Sequence, residues 1–155
     1  MNNKIFILGS TVLIVLLLFL FMKVPTLYVS YEDGGFPLKE DSFEVSWIHS
    51  VEKEAWMETY EKEGSRLYLV KTRFKTFGAG TPSDGEVIPS TDGYVHMKID
   101  REVESIDLIV SANVETTLTT DSKEYRLYEM VADYESVKIE IKKLPVWEFL
   151  RGEIQ

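Results

Sequence analysis

The densest group of polar side chains with chemical potential lies between residues 47 and 58, in the string WIHSVEKEAWME. His49 is one of two histidines in the chain, and Glu52 and Glu58 follow it at spacings that a strand–turn–strand hairpin brings together. A histidine beside a carboxylate is the arrangement of a general base, and one imidazole with two carboxylates is a set of metal ligands. The string is therefore compatible with a hydrolase or a metal-dependent enzyme centred on these three residues.

A structural or binding role for the same string is the interpretation we favour. Ser50 directly follows His49, and successive side chains of a strand point to opposite faces, so the two are poorly placed as a nucleophile–base dyad. His49 and Ser50 are expected to bond backbone groups at a turn, with Glu52 paired to a lysine. We predict no catalytic residue, no metal ligand and no cofactor. Instead, the predicted ligand- or partner-binding residues here are His49, Ser50, Glu52, Trp56 and Glu58.

A second motif, FKTFGAGTP over residues 74–82, carries two glycines that flank an alanine. Glycine permits backbone conformations that strain other residues, and the amides of such a loop can form a nest for a carboxylate or phosphate. The motif lacks the strand-to-helix context and trailing lysine of a nucleotide-binding loop. Two interpretations stay open, a tight loop crossing the end of the fold and a site for a small carboxylate. The predicted binding residues in it are Phe77, Gly78, Ala79, Gly80 and Pro82.

The elements that position these motifs are predicted to be short β-strands. After Pro25, apolar or alternating runs recur about every 8–12 residues and are separated by turn residues, which predicts an all-β fold, an antiparallel β-sandwich or a partly open barrel. A glycine- and proline-rich segment, residues 76–93, is expected to be irregular. The predicted strands are residues 26–31, 42–49, 56–60, 66–74, 94–99, 105–111, 114–120, 125–131 and 137–142.

An apolar segment precedes the predicted strands. Ile5 to Met22 is an eighteen-residue run without a charge, close to the roughly 20 residues that span a bilayer. It lacks the small-residue pair of a cleavage site, so we predict an uncleaved transmembrane helix rather than a cleaved signal peptide. Lys4 precedes the run without an acidic neighbour, whereas Lys23 is soon followed by Glu32, which favours a cytoplasmic N-terminus and a single-pass protein of the cytoplasmic membrane.

The predicted organisation has three parts: a tail and anchor over residues 1–24, an extracytoplasmic β domain over 25–143, and a C-terminal tail over 144–155 with one helical turn. The chain carries 26 acidic and 17 basic side chains and a net charge of −9. This balance disfavours nucleic acid as a partner, because phosphate backbones repel it. The absence of cysteine excludes disulfides, thiolate zinc sites, iron–sulfur clusters and a cysteine nucleophile.

Two strings together resemble a bacterial family, domain of unknown function eighteen-fifty. They are HSVE at His49–Glu52, followed by Trp56 and Glu58, and FGAG-x-P at residues 77–82. The resemblance covers roughly residues 26–142. It implies an association with TAXI-type TRAP transporters, secondary transporters that use an exported solute-binding protein.

Three functions from different classes follow. The leading hypothesis is a non-catalytic accessory module, anchored in the membrane, that binds the TRAP permease, the solute-binding protein or a small carboxylate solute. The second is the extracytoplasmic hydrolase or metal-dependent enzyme centred on His49, Glu52 and Glu58. The third is a structural envelope protein that makes protein contacts through its aromatic surface and the C-terminal segment 147–150.

Overall fold

The computed structural model describes residues 3–78 and 80–151, so the predicted binding residue Ala79 lies outside the described residues. The described chain contains two antiparallel sheets and three helices. The helices are α1 (Asn3–Phe21), α2 (Leu127–Met130) and α3 (Val146–Arg151). The strands are β1 (Lys23–Tyr31), β2 (Gly34–Pro37), β3 (Ser42–Ile48), β4 (Ala55–Glu63), β5 (Arg66–Phe74), β6 (Glu86–Ile88), β7 (Val95–Val103), β8 (Ser105–Val110), β9 (Thr117–Thr119), β10 (Glu124–Arg126) and β11 (Glu135–Pro145).

The two sheets pack over one hydrophobic core. The first has four strands in the order β2-β1-β11-β8, and the second has seven in the order β10-β9-β3-β4-β5-β7-β6. Val29 and Ile139 of the first sheet and Val45 and Leu118 of the second are fully buried members of the same core. The predicted all-β fold is therefore confirmed, and the described strands form two antiparallel sheets.

Strand β3 illustrates why the alternating sequence forms a half-buried strand. Phe43 and Val45 point into the core and are buried, while Glu44 and Ser46 between them face outward. Burying one apolar face of such a strand stabilises it by about 25 cal/mol per Å² of apolar area. The antiparallel register of β3 with β4 pairs Trp47 with Trp56, which fixes the position of the hairpin turn between them.

Three local predictions need correction. The predicted strand 125–131 is wrong after Arg126, because pairing with the three-residue β9 ends there and the chain turns into α2, which buries Leu127. Strand β9 is shorter than residues 114–120 because Glu115 adopts a left-handed backbone (φ 50°). Strands β2 and β6 were not predicted. β2 forms because Gly35 lies against Val29, whose carbonyl oxygen would be 2.3 Å from a Cβ at that position.

Helix α1 coincides with the apolar run and projects apolar side chains into solvent. The exposed fractions of the large apolar side chains from Ile7 to Met22 lie between 43% and 79%. Among the described residues, no helix combines the length and the hydropathy required of a membrane span. The transmembrane helix predicted from the sequence is therefore not confirmed, and the membrane location stays a prediction.

Candidate functional site

A small cleft, open to solvent, lies where β3 turns into β4 and where β5 ends. It is a shallow depression, and its space, counted together with the solvent at its open mouth, is about 180 Å³. We call it the His49 cleft. Its lining combines polar groups from the β3–β4 turn with aromatic side chains from β4 and β5: His49, Glu52, Glu54, Ala55, Trp56, Phe74, Lys75 and Thr76.

Backbone hydrogen bonds close the turn that forms one wall of the cleft. The His49 N–H donates to the Glu54 carbonyl at 2.8 Å, and the Lys53 N–H donates to the His49 carbonyl at 2.9 Å. Lys53 adopts a left-handed backbone with φ 57°. Ser50 and Val51 lie exposed at the tip of this turn. Ser50 is therefore placed beside the cleft rather than among the residues that line it.

The predicted histidine–carboxylate pair is formed in this turn. His49 Nδ1 contacts Glu52 Oε2, and the two side chains are 19% and 22% exposed. Because Nδ1 faces Glu52, the opposite ring nitrogen, Nε2, is the one that the imidazole presents to an incoming group. Partial burial of both partners keeps the pair ordered while leaving it reachable from the cleft.

An aromatic stack forms the floor of the cleft. The His49 ring lies on the Trp56 indole with a centroid distance of 5.4 Å, and Trp56 stacks on Phe74 at 4.9 Å. Phe77 meets Phe74 edge-on at 5.2 Å and is 63% exposed. Trp56 and Phe74 are buried core residues, so the imidazole is held by rings that the sheet itself fixes.

The two sequence motifs meet at Glu52 and Gly78. A Cβ at Gly78 would lie 2.1 Å from Glu52 Oε1, so a glycine is needed for the carboxylate to occupy this position. The loop then turns, with the Thr81 hydroxyl donating to the Gly78 carbonyl at 2.9 Å, and Gly80 has φ 83°. Pro82 follows, half-buried. The loop thus supports the His49–Glu52 pair from outside the sheet.

Glu58, the third member of the predicted site, lies elsewhere. It is paired in register with Val45 and Thr72, both fully buried, so its side chain is on the core face of β4. The Tyr60 hydroxyl donates to Glu58 Oε2 at 2.5 Å. Burial raises the pKa of Glu58, against the lowering effect of this hydrogen bond, and burial followed by the nearby Glu58 charge raises the pKa of Tyr60.

Several lining residues were missed by the sequence analysis. Phe74 was assigned to a strand, and its position at the end of β5, beside the FGAG loop, was the available signal. The Thr76 hydroxyl donates to Glu54 Oε2 at 2.7 Å, linking the loop to the turn a second time. The Lys75 ammonium lies 5.8 Å from the centre of the Tyr94 ring. Both polar residues lie in the FKTFGAGTP string, but neither was among the binding residues predicted in it.

The arrangement is suited to recognition by stacking and polar contacts. It offers an imidazole edge, an ammonium group and a carboxylate around an aromatic floor, the mixture typical of small ligand sites. Within residues 3–78 and 80–151, no three His, Asp or Glu side chains are grouped as metal ligands. A metal-dependent enzyme built on His49, Glu52 and Glu58 is disfavoured by the separate placement of Glu58.

Comparison with protein-family models gives a match to Domain of unknown function (DUF1850) over residues 43–127. The matched range runs from β3 through Leu127 and includes the His49 cleft with both segments that build it. No curated protein and no solved structure matches the chain.

Proposed function

Since the chain belongs to the DUF1850 family, we propose that it is a membrane-anchored, extracytoplasmic accessory protein of a TAXI-type TRAP solute transporter, and that it acts by binding rather than catalysis. The TRAP association comes from the family resemblance carried by the HSVE and FGAG-x-P strings. In this proposal, the β domain is presented outside the cytoplasm and the His49 cleft docks a partner segment or a small carboxylate.

The proposed anchor is α1 with its flanking residues. A continuous apolar surface as large as that of α1 needs an apolar partner, because monomeric soluble proteins rarely expose such patches to water. Lys23 directly follows the apolar run, where a cation can reach an anionic headgroup. Flotation of the full chain with vesicles through a density gradient tests the anchor, and a chain that stays at the bottom contradicts it.

The observation that carries the proposed docking role is the meeting of two distant strings at one cleft. Glu52 of the turn and Gly78 of the loop are in contact, and the two aromatic floor residues, Trp56 and Phe74, line the same cleft. A loop that served folding alone would not need to hold a histidine–carboxylate contact beside an open cleft. The His49–Glu52 contact, the ammonium of Lys75 and the exposed ring of Phe77 together form a surface that a partner can contact.

The test is co-purification of the tagged full chain, extracted in mild detergent, with the TRAP permease and the solute-binding protein. His49→Asn and Glu52→Gln are expected to reduce recovery at least tenfold, equivalent to about 1.4 kcal/mol of binding free energy. His96→Asn is the matched control, because His96 Nε2 also contacts a carboxylate, Asp92, at 2.8 Å, but does so outside the cleft. Recovery of neither protein with the wild-type chain contradicts the proposal.

A hydrolase is the second candidate, favoured by the His49–Glu52 contact itself. A carboxylate that orients an imidazole is the usual support of a general base. This function predicts turnover of ester or amide substrates that His49→Asn abolishes while His96→Asn leaves it unchanged. Loss of partner recovery in His49→Asn, with no turnover in the wild-type chain, separates docking from catalysis.

A further inference from the structure

A second exposed apolar surface lies at the junction of α1 and α3, far along the chain from the His49 cleft. Phe21 and Met22 are 79% and 51% exposed, and Trp147 and Leu150 are 47% and 64% exposed. We call these four residues the base patch. The patch belongs to no part of the cleft. Phe21 and Met22 end the apolar run of the proposed anchor, whereas Trp147 and Leu150 have no role in the function proposed above.

The fold brings the two ends of the described chain together at this point. Lys23 of β1 pairs with Pro145 of β11, so the strand that leaves α1 lies beside the strand that enters α3. The Val146 N–H donates to the Met22 carbonyl at 3.0 Å, and α3 contacts α1. Trp147 is therefore held beside the last turn of α1, at the position where the apolar run ends.

Val146 explains why α3 presents Trp147 outward. Val146 is buried against the sheet, whereas Trp147 and Leu150, three residues apart, share a helix face that points away from the core. Basic residues flank this face, with Lys23 and Lys143 exposed and Arg151 in the last turn of α3. Glu148 is the acidic residue of the helix.

We propose that the base patch lies in the lipid–water interface, with the Trp147 indole at the level of the headgroups. The occupant is lipid because the patch continues the exposed apolar surface of α1 without a break. If α1 lies in hydrocarbon, Met22 and Lys23 mark its boundary, and Trp147 is at the same depth. Tryptophan is enriched at this depth, because its ring is apolar and its N–H is polar. This inference rests on the proposed membrane anchor.

The experiment uses the full chain reconstituted in phosphatidylcholine vesicles, with and without bromine on the acyl chains near the headgroup. Bromine quenches only nearby indoles. Trp56 is 5% exposed in the core, and Trp47 stacks on it. We expect brominated lipid to remove about one third of the tryptophan emission, since Trp147 is one of three tryptophans and the only one at the predicted depth.

Trp147→Phe should abolish the quenching, and Trp47→Phe is the matched control that should preserve it. Leu150→Asp gives a second reading, because a charge on the same face should lift α3 and reduce quenching by more than half. Equal quenching of wild type and Trp147→Phe, in a chain that floats with the vesicles, overturns the inference and leaves the anchor intact. A chain that does not float overturns the proposed anchor and this inference together.

Another occupant would give a different result. If the base patch packs against a second copy of the chain, Trp147 emission in lipid-free detergent moves to shorter wavelength as protein concentration rises, and brominated lipid has no effect. If it packs against a partner protein, the same shift follows addition of the solute-binding protein. Either outcome overturns placement of the base patch in lipid.

Discussion

Two carboxylates six residues apart, Glu52 and Glu58, occupy opposite kinds of environment. Glu52 lies in a turn, 22% exposed, beside His49 and the FGAG loop. Glu58 lies in the middle of a strand on the core face, where Tyr60 donates to it at 2.5 Å. One carboxylate supports a surface that can meet a ligand, while the other is a polar group within the fold.

The residue between them explains how the two environments stay separate. Trp56 is buried, and its ring carries His49 on one side of the cleft floor and Phe74 on the other. The Trp56 side chain also acts on Glu58, whose pKa it lowers by hydrogen bonding, against the larger raising effect of burial. Trp56 thus stacks on His49 and also acts on Glu58, and we call its ring the partition between the two environments. The comparison shows that residues close in sequence need not share a site, because strand register can place a buried side chain between them.

Removing the partition, the Trp56 ring, should have the largest effect on stability. Trp56→Ala deletes a buried ring and is expected to lower the free energy of unfolding by about 3–5 kcal/mol, because a cavity replaces the contacts with Phe74 and His49. Denaturant unfolding followed by circular dichroism measures it. Trp147→Ala is the control, and its half-exposed ring should cost under about 1 kcal/mol. Equal costs for the two variants would contradict the role given to Trp56.

Loss of the hydrogen bond between Tyr60 and Glu58 should have the next largest effect on stability. Tyr60→Phe removes the hydroxyl that donates to Glu58, leaving the carboxyl without this partner in a buried position. The free energy of unfolding is expected to fall by about 1–3 kcal/mol. Tyr134→Phe, at a residue that is 66% exposed, should change it by less than about 0.5 kcal/mol. A Tyr60→Phe variant as stable as wild type would show that the contact contributes nothing.

The placement of Glu58 also shows how far the sequence alone reaches. Alternation in residues 42–49 predicts β3, because one apolar face of the strand must be buried. Residues 66–74 predict β5 as a central strand, because both of its faces are partly apolar. The spacing of the two residues predicted that Glu58 would approach His49 across the hairpin. Its register partner, Val45, faces the core, and register depends on contacts between strands that no local pattern displays.

The cleft was partly predictable for a related reason. The HSVE and FGAG strings were both marked, but their meeting depends on the path of a loop whose glycines fit several conformations. Strand β6 was missed because its three residues lie within a glycine- and proline-rich segment and are held only by pairing with β7. Helix α2 was missed because its four residues are too few to show a helical period, and its one buried residue, Leu127, is placed by packing in the core.

The raised pKa of Glu58 predicts a pH dependence of stability. The folded state holds the Glu58 proton more tightly than the unfolded chain, whose glutamate has an ordinary value of 4.5. Below that value both states are protonated. As pH rises from about 4.5 through the raised pKa, wild type should lose stability relative to Glu58→Gln, by at most about 1.4 kcal/mol per pH unit.

Denaturant midpoints measured from pH 3 to 9, a range chosen to bracket about 4.5 on both sides, test this dependence. Glu58→Gln retains an acceptor for the Tyr60 hydroxyl and removes the titration. Glu61→Gln, at an exposed position of the same strand, is the control that should follow wild type. Parallel pH profiles for wild type and Glu58→Gln would rule out a raised Glu58 pKa as a determinant of stability.

The smallest effect on stability is expected at the cleft, where it should be accompanied by a loss of binding. In Gly78→Ala, the added Cβ meets the end of the flexible Glu52 side chain, which can swing away from His49. The free energy of unfolding should change by less than about 1 kcal/mol, while partner recovery falls as far as in Glu52→Gln. The His49 ring resonances, followed by NMR, should shift alike in both variants. The Glu58–Tyr60 pair would be unaffected, so Gly78→Ala tests Glu52 separately from Glu58. Normal partner recovery despite shifted His49 resonances would mean that the His49–Glu52 contact serves folding only.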